Sequence, residues 1–257
     1  MSLPLEIQKK NRGLSDWAIL VGYRGSISHD MFVPSNDPNS IDDKDIMAVC
    51  IPPKDYFYGL KNYGSRGTQE IKKDEWDIVI YEIRKFISLL SKGNPNVLSM
   101  LWLDEEFILF QTDEGKYLRE KRDLFVGRHV YHSFVGYAQS QLYKMEHLAC
   151  QGYMGEKRKR LVEKFGYDTK NAAHLIRLMR MAIEFLQTGF LIVKRPDREE
   201  LLGIKKGQWT LEQIKQEAEI LFQKAKDAYE KSPLPQKPDE LAINELCVTL
   251  CERHFSI

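Results

Sequence analysis

The sequence predicts an α+β protein: a small core of strands and helices over residues 1–112, then an all-helical domain over 113–257. Three observations predict it. Residues 17–21, 46–50 and 76–81 are short, mostly apolar runs, bounded by Gly, Pro or acidic residues, the pattern of strands with little solvent-facing surface. After Asp113 no convincing strand run remains. Helical periodicity takes over there, most cleanly at Ala172, Leu175, Ile176, Met179, Ala182, Ile183 and Leu186, spaced to line one helix face. The composition, 43% hydrophobic and 29% charged over 257 residues, is that of a globular chain able to bury one large core or two small ones.

In chain order, residues 4–14 read as a short helix that Gly13 stops, followed by a strand over 16–21. Residues 30–40 carry Pro34, Pro38 and several Asn and Asp, and read as loop. A second strand covers 44–51 and is broken by Pro52 and Pro53. A helical turn over 55–60 and a Gly-rich loop over 61–67 lead to a third strand before Asp74 and a fourth over 76–81. Ile83, Phe86, Ile87 and Leu90 give a helix over 82–92 its buried stripe. Gly93 ends it, and Asn94-Pro95 opens a short apolar helical segment. Residues 106–111 are open to a further strand. In the second half, helices are expected over 130–150 (closed by Gly152 and Gly155), from Asp168 or Thr169 to 188, over 210–230 and over 239–253, with a Pro-rich linker at 232–238.

The chemistry concentrates in two stretches. Gly22-Tyr23-Arg24-Gly25-Ser26 follows the first strand, and Gly22 and Gly25 let the backbone turn sharply there. The amides of Gly25 and Ser26, with the Ser26 hydroxyl, are candidate phosphate ligands. Asp43 and Asp45 then fall on one side of the second strand, about 7 Å apart, and Lys44 on the other. Two such carboxylates suit a hard divalent ion.

This pattern resembles the nucleotidyltransferase superfamily of DNA polymerase β: a Gly-Ser turn after a strand, an Asp-x-Asp pair on the next strand, and a third carboxylate on a later one. The likeness extends through 81–103 and the segment Ala173-His174-Leu175-Ile176-Arg177-Leu178 to predicted nucleotidyltransferases of phages and bacteria linked to RNA repair. It implies a mixed-sheet catalytic core, with the helical domain closing the nucleotide cleft. It implies Asp77 as the third carboxylate, with Glu75 and Glu82 as rivals. Asp43, Asp45 and Asp77 would then hold Mg²⁺ or Mn²⁺, the substrate would be a nucleoside triphosphate, and the acceptor an RNA end such as that of a tRNA. A protein or small-molecule acceptor, or a binding module without catalysis, are the alternatives. Two departures stand out: Asp30 and Asp42 occupy positions where the resemblance calls for Gly and Ser.

Lys170, His174 and Arg177 share one face of the helix after Asp168 and are candidate nucleotide ligands, both by that segment and by charge. Glu156-Lys157-Arg158-Lys159-Arg160 is a basic run that suits either a solvated helix end or a phosphate backbone. Cys247, Cys251 and His254 lie at i, i+4 and i+7 without an evident fourth ligand, and read as packing. The net charge of +1 supplies no global attraction to nucleic acid or membrane. No apolar run is long enough to span a membrane, and four Cys do not make a disulfide framework, so the expectation is a cytoplasmic protein with reduced thiols.

Overall fold

In the computed structural model, which describes residues 5–34, 43–147 and 156–256, the chain divides into two compact units. The first comprises Met1–Ser28, Asp43–Val126 and Lys237–Ile257, and the second His29–Asp42 and Gly127–Gln236.

The first unit opens with two short helices, α1 (Leu5–Lys10) and α2 (Arg12–Ser15). Gly13 does not stop a helix there. It lies inside α2, where an added Cβ would meet the Tyr63 hydroxyl at 2.2 Å, and Asn11 caps the helix through the Gly13 N–H. Strand β1 (Ala18–Tyr23) runs into the single turn α3 (Gly25–Ser28), so Gly22 lies inside the strand, where a Cβ would meet Leu103, and the turn rests on Gly25. Strands β2 (Lys44–Cys50), β3 (Thr68–Lys73) and β4 (Trp76–Glu82) follow, then α4 (Ile83–Ser91) and α5 (Pro95–Leu98), the latter capped by the Asn94 side chain. Strand β5 (Ile108–Gln111) and helix α6 (Asp113–Glu120) complete this stretch.

The sheet is mixed, in the order β3-β4-β2-β1-β5. Strand β2 pairs parallel with β4, and every other pairing is antiparallel. One face buries Val21, Tyr23, Ile46, Ala48, Cys50, Ile78 and Ile80 as a single cluster, while Leu20, Met47 and Val49 are equally buried on the other. Burial on both faces is why these strands read as continuous apolar runs. The stripe Ile83, Phe86, Ile87 and Leu90 is buried as its spacing required.

The second unit holds α7 (Val130–His147), α8 (Glu156–Phe165), α9 (Thr169–Thr188), α10 (Arg198–Lys205) and α11 (Leu211–Lys231). Helix α9 is central: Ala172, Leu175, Ile176 and Met179 sit in one core with Ala138 of α7, Ile204 of α10 and Ala218 and Leu221 of α11. Asp168 caps α9 through the Asn171 N–H, and Thr210 with Gln213 forms a capping box on α11. The expected end of α7 at Cys150 and its closure by Gly152 and Gly155 lie outside the described residues, as does Asp42.

The last helix, α12 (Glu240–Phe255), belongs with the sheet rather than with the helical domain. Phe255 meets Phe57 edge-on at 5.3 Å, and the Arg253 guanidinium lies 3.8 Å over the Tyr117 ring. Residues 113–126 also stay with the sheet, so the units do not divide at 112/113. Amphipathic periodicity identifies a helix but not the partner its apolar face meets.

Candidate active site

Strand registers place four charged side chains in one row. In the antiparallel β1–β2 pair Tyr23 lies opposite Ile46, and one step on the Arg24 N–H donates to the Asp45 carbonyl at 2.9 Å. In the parallel β2–β4 pair Asp45 lies opposite Asp77. In the β3–β4 pair Lys72 lies opposite Asp77. Residues directly paired across strands share a face, so Lys72, Asp77, Asp45 and Arg24 follow one another in the order cation, anion, anion, cation.

Arg24 reaches back along this row. Its Nη2 is 3.0 Å from Asp77 Oδ1 and 3.6 Å from Asp45 Oδ1, and its Nε donates to the Ile46 carbonyl at 3.2 Å. Lys72 Nζ is 3.6 Å from Asp77 Oδ2 but is 74% exposed, where water screens it. The Arg24, Asp45 and Asp77 side chains are each about a quarter exposed.

Gly25 closes the turn against this group. Its φ is +64°, and a Cβ built there would stand 2.3 Å from Asp45 Oδ2. Any other residue would be strained and would also press on the carboxylate. The Ser26 Oγ is buried without a hydrogen-bond partner, so a donor and acceptor beside the turn is left for something else.

This donor set fits a divalent cation. Asp45 and Asp77 offer hard oxygens, and both already approach one positively charged nitrogen. Asp43 precedes β2 by one residue. Among the described residues no three His, Cys, Asp or Glu side chains are gathered closely enough to hold a metal ion, so the structure shows a pair rather than a closed triad. The rivals of Asp77 are engaged elsewhere. Glu75 pairs with Lys44. Glu82 is buried and caps α4, accepting from the Arg84 N–H at 3.0 Å and from the Arg84 guanidinium.

In the helical unit, Lys170 and His174 are partly exposed on α9, with the His174 ring 5.5 Å from that of Tyr137. Arg177 is buried and donates to His29 Nε2. His29 in turn donates from Nδ1 to the Val193 carbonyl at 2.8 Å, the arrangement of a neutral imidazole protonated on Nδ1. Burial, then the Arg177 charge, holds His29 well below its ordinary value. Burial pushes Arg177 down to about 9, with Arg195 adding to it. Glu184, further along α9, holds Arg195 through two bonds of 2.7 and 2.8 Å.

Asp30 stands at φ +57°, a left-handed conformation that suits glycine and that Asp tolerates, and its side chain pairs with Arg198. That accounts physically for a glycine at this position in the resemblance. Arg24 and His29 are the two residues the sequence reading passed over as site candidates. The signal for Arg24 was a lone cation between a buried strand and a glycine turn.

The family model of the RNA repair pathway DNA polymerase beta family (RlaP) matches residues 33–249. The chain belongs to that family. Asp43, Asp45, Asp77, Lys170, His174 and Arg177 all fall inside the matched span, whereas Arg24, Gly25 and Ser26 precede it. Among solved structures, a nucleotidyltransferase-like protein from Exiguobacterium sibiricum 255-15 is similar at 8% identity and a TM-score of 0.30, covering 88% of this chain and 73% of that one. That likeness is too loose to carry an argument about residues. No curated protein matches the chain. Among the described residues no helix is long and apolar enough to cross a membrane.

Proposed function

We propose that the chain transfers a nucleoside monophosphate from a nucleoside triphosphate to a hydroxyl on an RNA end, tRNA being one candidate acceptor. The observation that carries this reading is the row in which Asp45 and Asp77 meet beside the Gly25–Ser26 turn. The family's name supports RNA as the acceptor class. Lys159 and Arg160 on α8 are candidates for contact with an RNA backbone.

In the proposed reaction the acceptor oxygen bonds to the α-phosphorus, the bond from that phosphorus to the β-phosphate oxygen breaks, and pyrophosphate leaves. Asp45 and Asp77, with Asp43 just before the strand, would hold Mg²⁺ or Mn²⁺. When bound, such an ion supplies positive charge for the attacking and leaving oxygens. Asp77 takes the acceptor's proton, directly or through one water. The buried Ser26 Oγ and the Gly25 and Ser26 amides hold the leaving phosphates. Nucleotide contact by His174 and Arg177 is proposed on the family segment, and by Lys170 on its charge and shared helix face, since Arg177 already has His29 as a partner.

The test is incubation with each α-labelled nucleoside triphosphate, Mg²⁺ or Mn²⁺, and a total RNA pool, with Asp45→Asn as control. Label on RNA that depends on Asp45 supports the reading. Label on the protein, or none on RNA, moves the acceptor elsewhere or removes catalysis.

A further inference from the structure

We propose that Arg24 is a resident counter-ion of the Asp45–Asp77 pair, one that a divalent cation must displace. This rests on the reading of that pair as the cation site. One guanidinium nitrogen lies 3.0 Å from Asp77 and 3.6 Å from Asp45, the position from which a cation would meet both carboxylates. The nitrogen is held there. The Arg24 backbone N–H is bonded to the Asp45 carbonyl and its Nε to the Ile46 carbonyl, so the side chain lies along the start of β2 rather than out in water.

Charge makes the displacement obligatory. The row balances two carboxylates against Arg24 and Lys72. An added divalent ion beside an unmoved guanidinium would face like charge at short range. Lys72 offers little resistance, because it is exposed and free to swing into solvent. Arg24 is the anchored one, and a guanidinium does not lose its charge by titration at physiological pH.

A triphosphate gives the displaced guanidinium a new partner, since planar guanidinium pairs two phosphate oxygens at once. Cation and nucleotide binding are therefore coupled through Arg24, and the coupling is reciprocal. The nucleotide-free protein holds its cation weakly, and the nucleotide strengthens that hold. Arg24 is a positioning residue that sets when the carboxylate pair takes up its divalent cation.

The test is binding of Mn²⁺ alone to the nucleotide-free protein, read from the loss of free Mn²⁺ signal in electron paramagnetic resonance. Arg24→Gln should bind Mn²⁺ at least about fivefold more tightly than the wild-type chain, the lower end of ordinary coupling. Arg24→Lys, which keeps the charge but lacks the fork that spans Ile46 and Asp77, should fall between them. Asp45→Asn should weaken binding in both the wild-type and Arg24→Gln backgrounds. Equal or weaker binding by Arg24→Gln, with Asp45→Asn still weakening both, overturns the counter-ion role and leaves the cation site standing. No effect of Asp45→Asn in either background overturns the cation site and the proposal with it. Circular dichroism checks the fold. If Arg24→Gln does not fold, Arg24→Lys decides, tighter binding supporting the role and equal binding overturning it.

Discussion

Two arginines in the two units are held in opposite ways. Arg24 sits just past the end of β1, partly exposed and within reach of two carboxylates, with Lys72 on the far side of the pair. Arg177 is buried on α9, bonded to the neutral ring of His29 and to the Met181 sulfur at 3.4 Å. The first arrangement is one that another cation can take over, because the carboxylates would keep a positive partner throughout. The second cannot change without leaving a buried nitrogen unpaired, which is costly. Charge at these strand ends suits binding that comes and goes, whereas the buried Arg177–His29 pair resists rearrangement.

The contrast yields predictions in different readouts. The largest concerns catalysis: Asp45→Asn should lower turnover by about 10³-fold or more, since loss of cation-mediated charge stabilisation is worth several kcal/mol. Unchanged melting temperature and lost label transfer together would identify the effect as chemical. In the helical unit, Arg195 is the matching test of structural charge, because it is buried and bonded to both Glu184 and Asp197. Arg195→Met takes this partner from Glu184 and leaves Asp197 with Arg180 alone, and should cost about 3–5 kcal/mol in urea unfolding. Gly25→Ala tests the cradle. It should cost about 1–3 kcal/mol of stability through backbone strain, and kcat/KM should fall by on the order of 10²-fold as Asp45 is pushed aside.

The sign of the pH effect follows from His29. Its folded value is depressed below 6.5, so the unfolded chain takes up a proton that the folded chain refuses. Its contribution is complete above that pH and is lost as pH falls below it, at up to about 1.4 kcal/mol per pH unit. Urea titrations over that range should show the slope, and His29→Gln should flatten it. The smallest effect belongs to Asp30. Asp30→Gly keeps the left-handed backbone and loses only a partly exposed ion pair with Arg198, so stability should shift by within about 0.5 kcal/mol. Asp30→Leu should cost about 1–2 kcal/mol, because a γ-branched side chain suits that backbone poorly.

The three central strands of the sheet were legible because they are buried on both faces. The runs around Leu20, Met47 and Ile78 could hardly belong anywhere else, and β1, β2 and β4 fall within two residues of the expected bounds. Asp45 and Asp77 were legible as candidate ligands because strand alternation fixes facing once the strand is known. Pairing was not: no local signal says that β2 lies beside β4 and so brings these two residues opposite each other. Arg24 was missed for the same reason, since its role depends on reaching across a neighbouring strand. Helix α10 was missed too, because its apolar positions Leu201 and Ile204 are few and their partners lie on α9 and α11.

The most direct test of the central claim is a crystal structure with Mn²⁺ and a non-hydrolysable nucleoside triphosphate, read by anomalous scattering. A Mn²⁺ peak in contact with Asp45 and Asp77 is expected, with Arg24 moved off the pair and onto the phosphates. Mn²⁺ bound elsewhere, with Arg24 still bridging the two carboxylates, would contradict it.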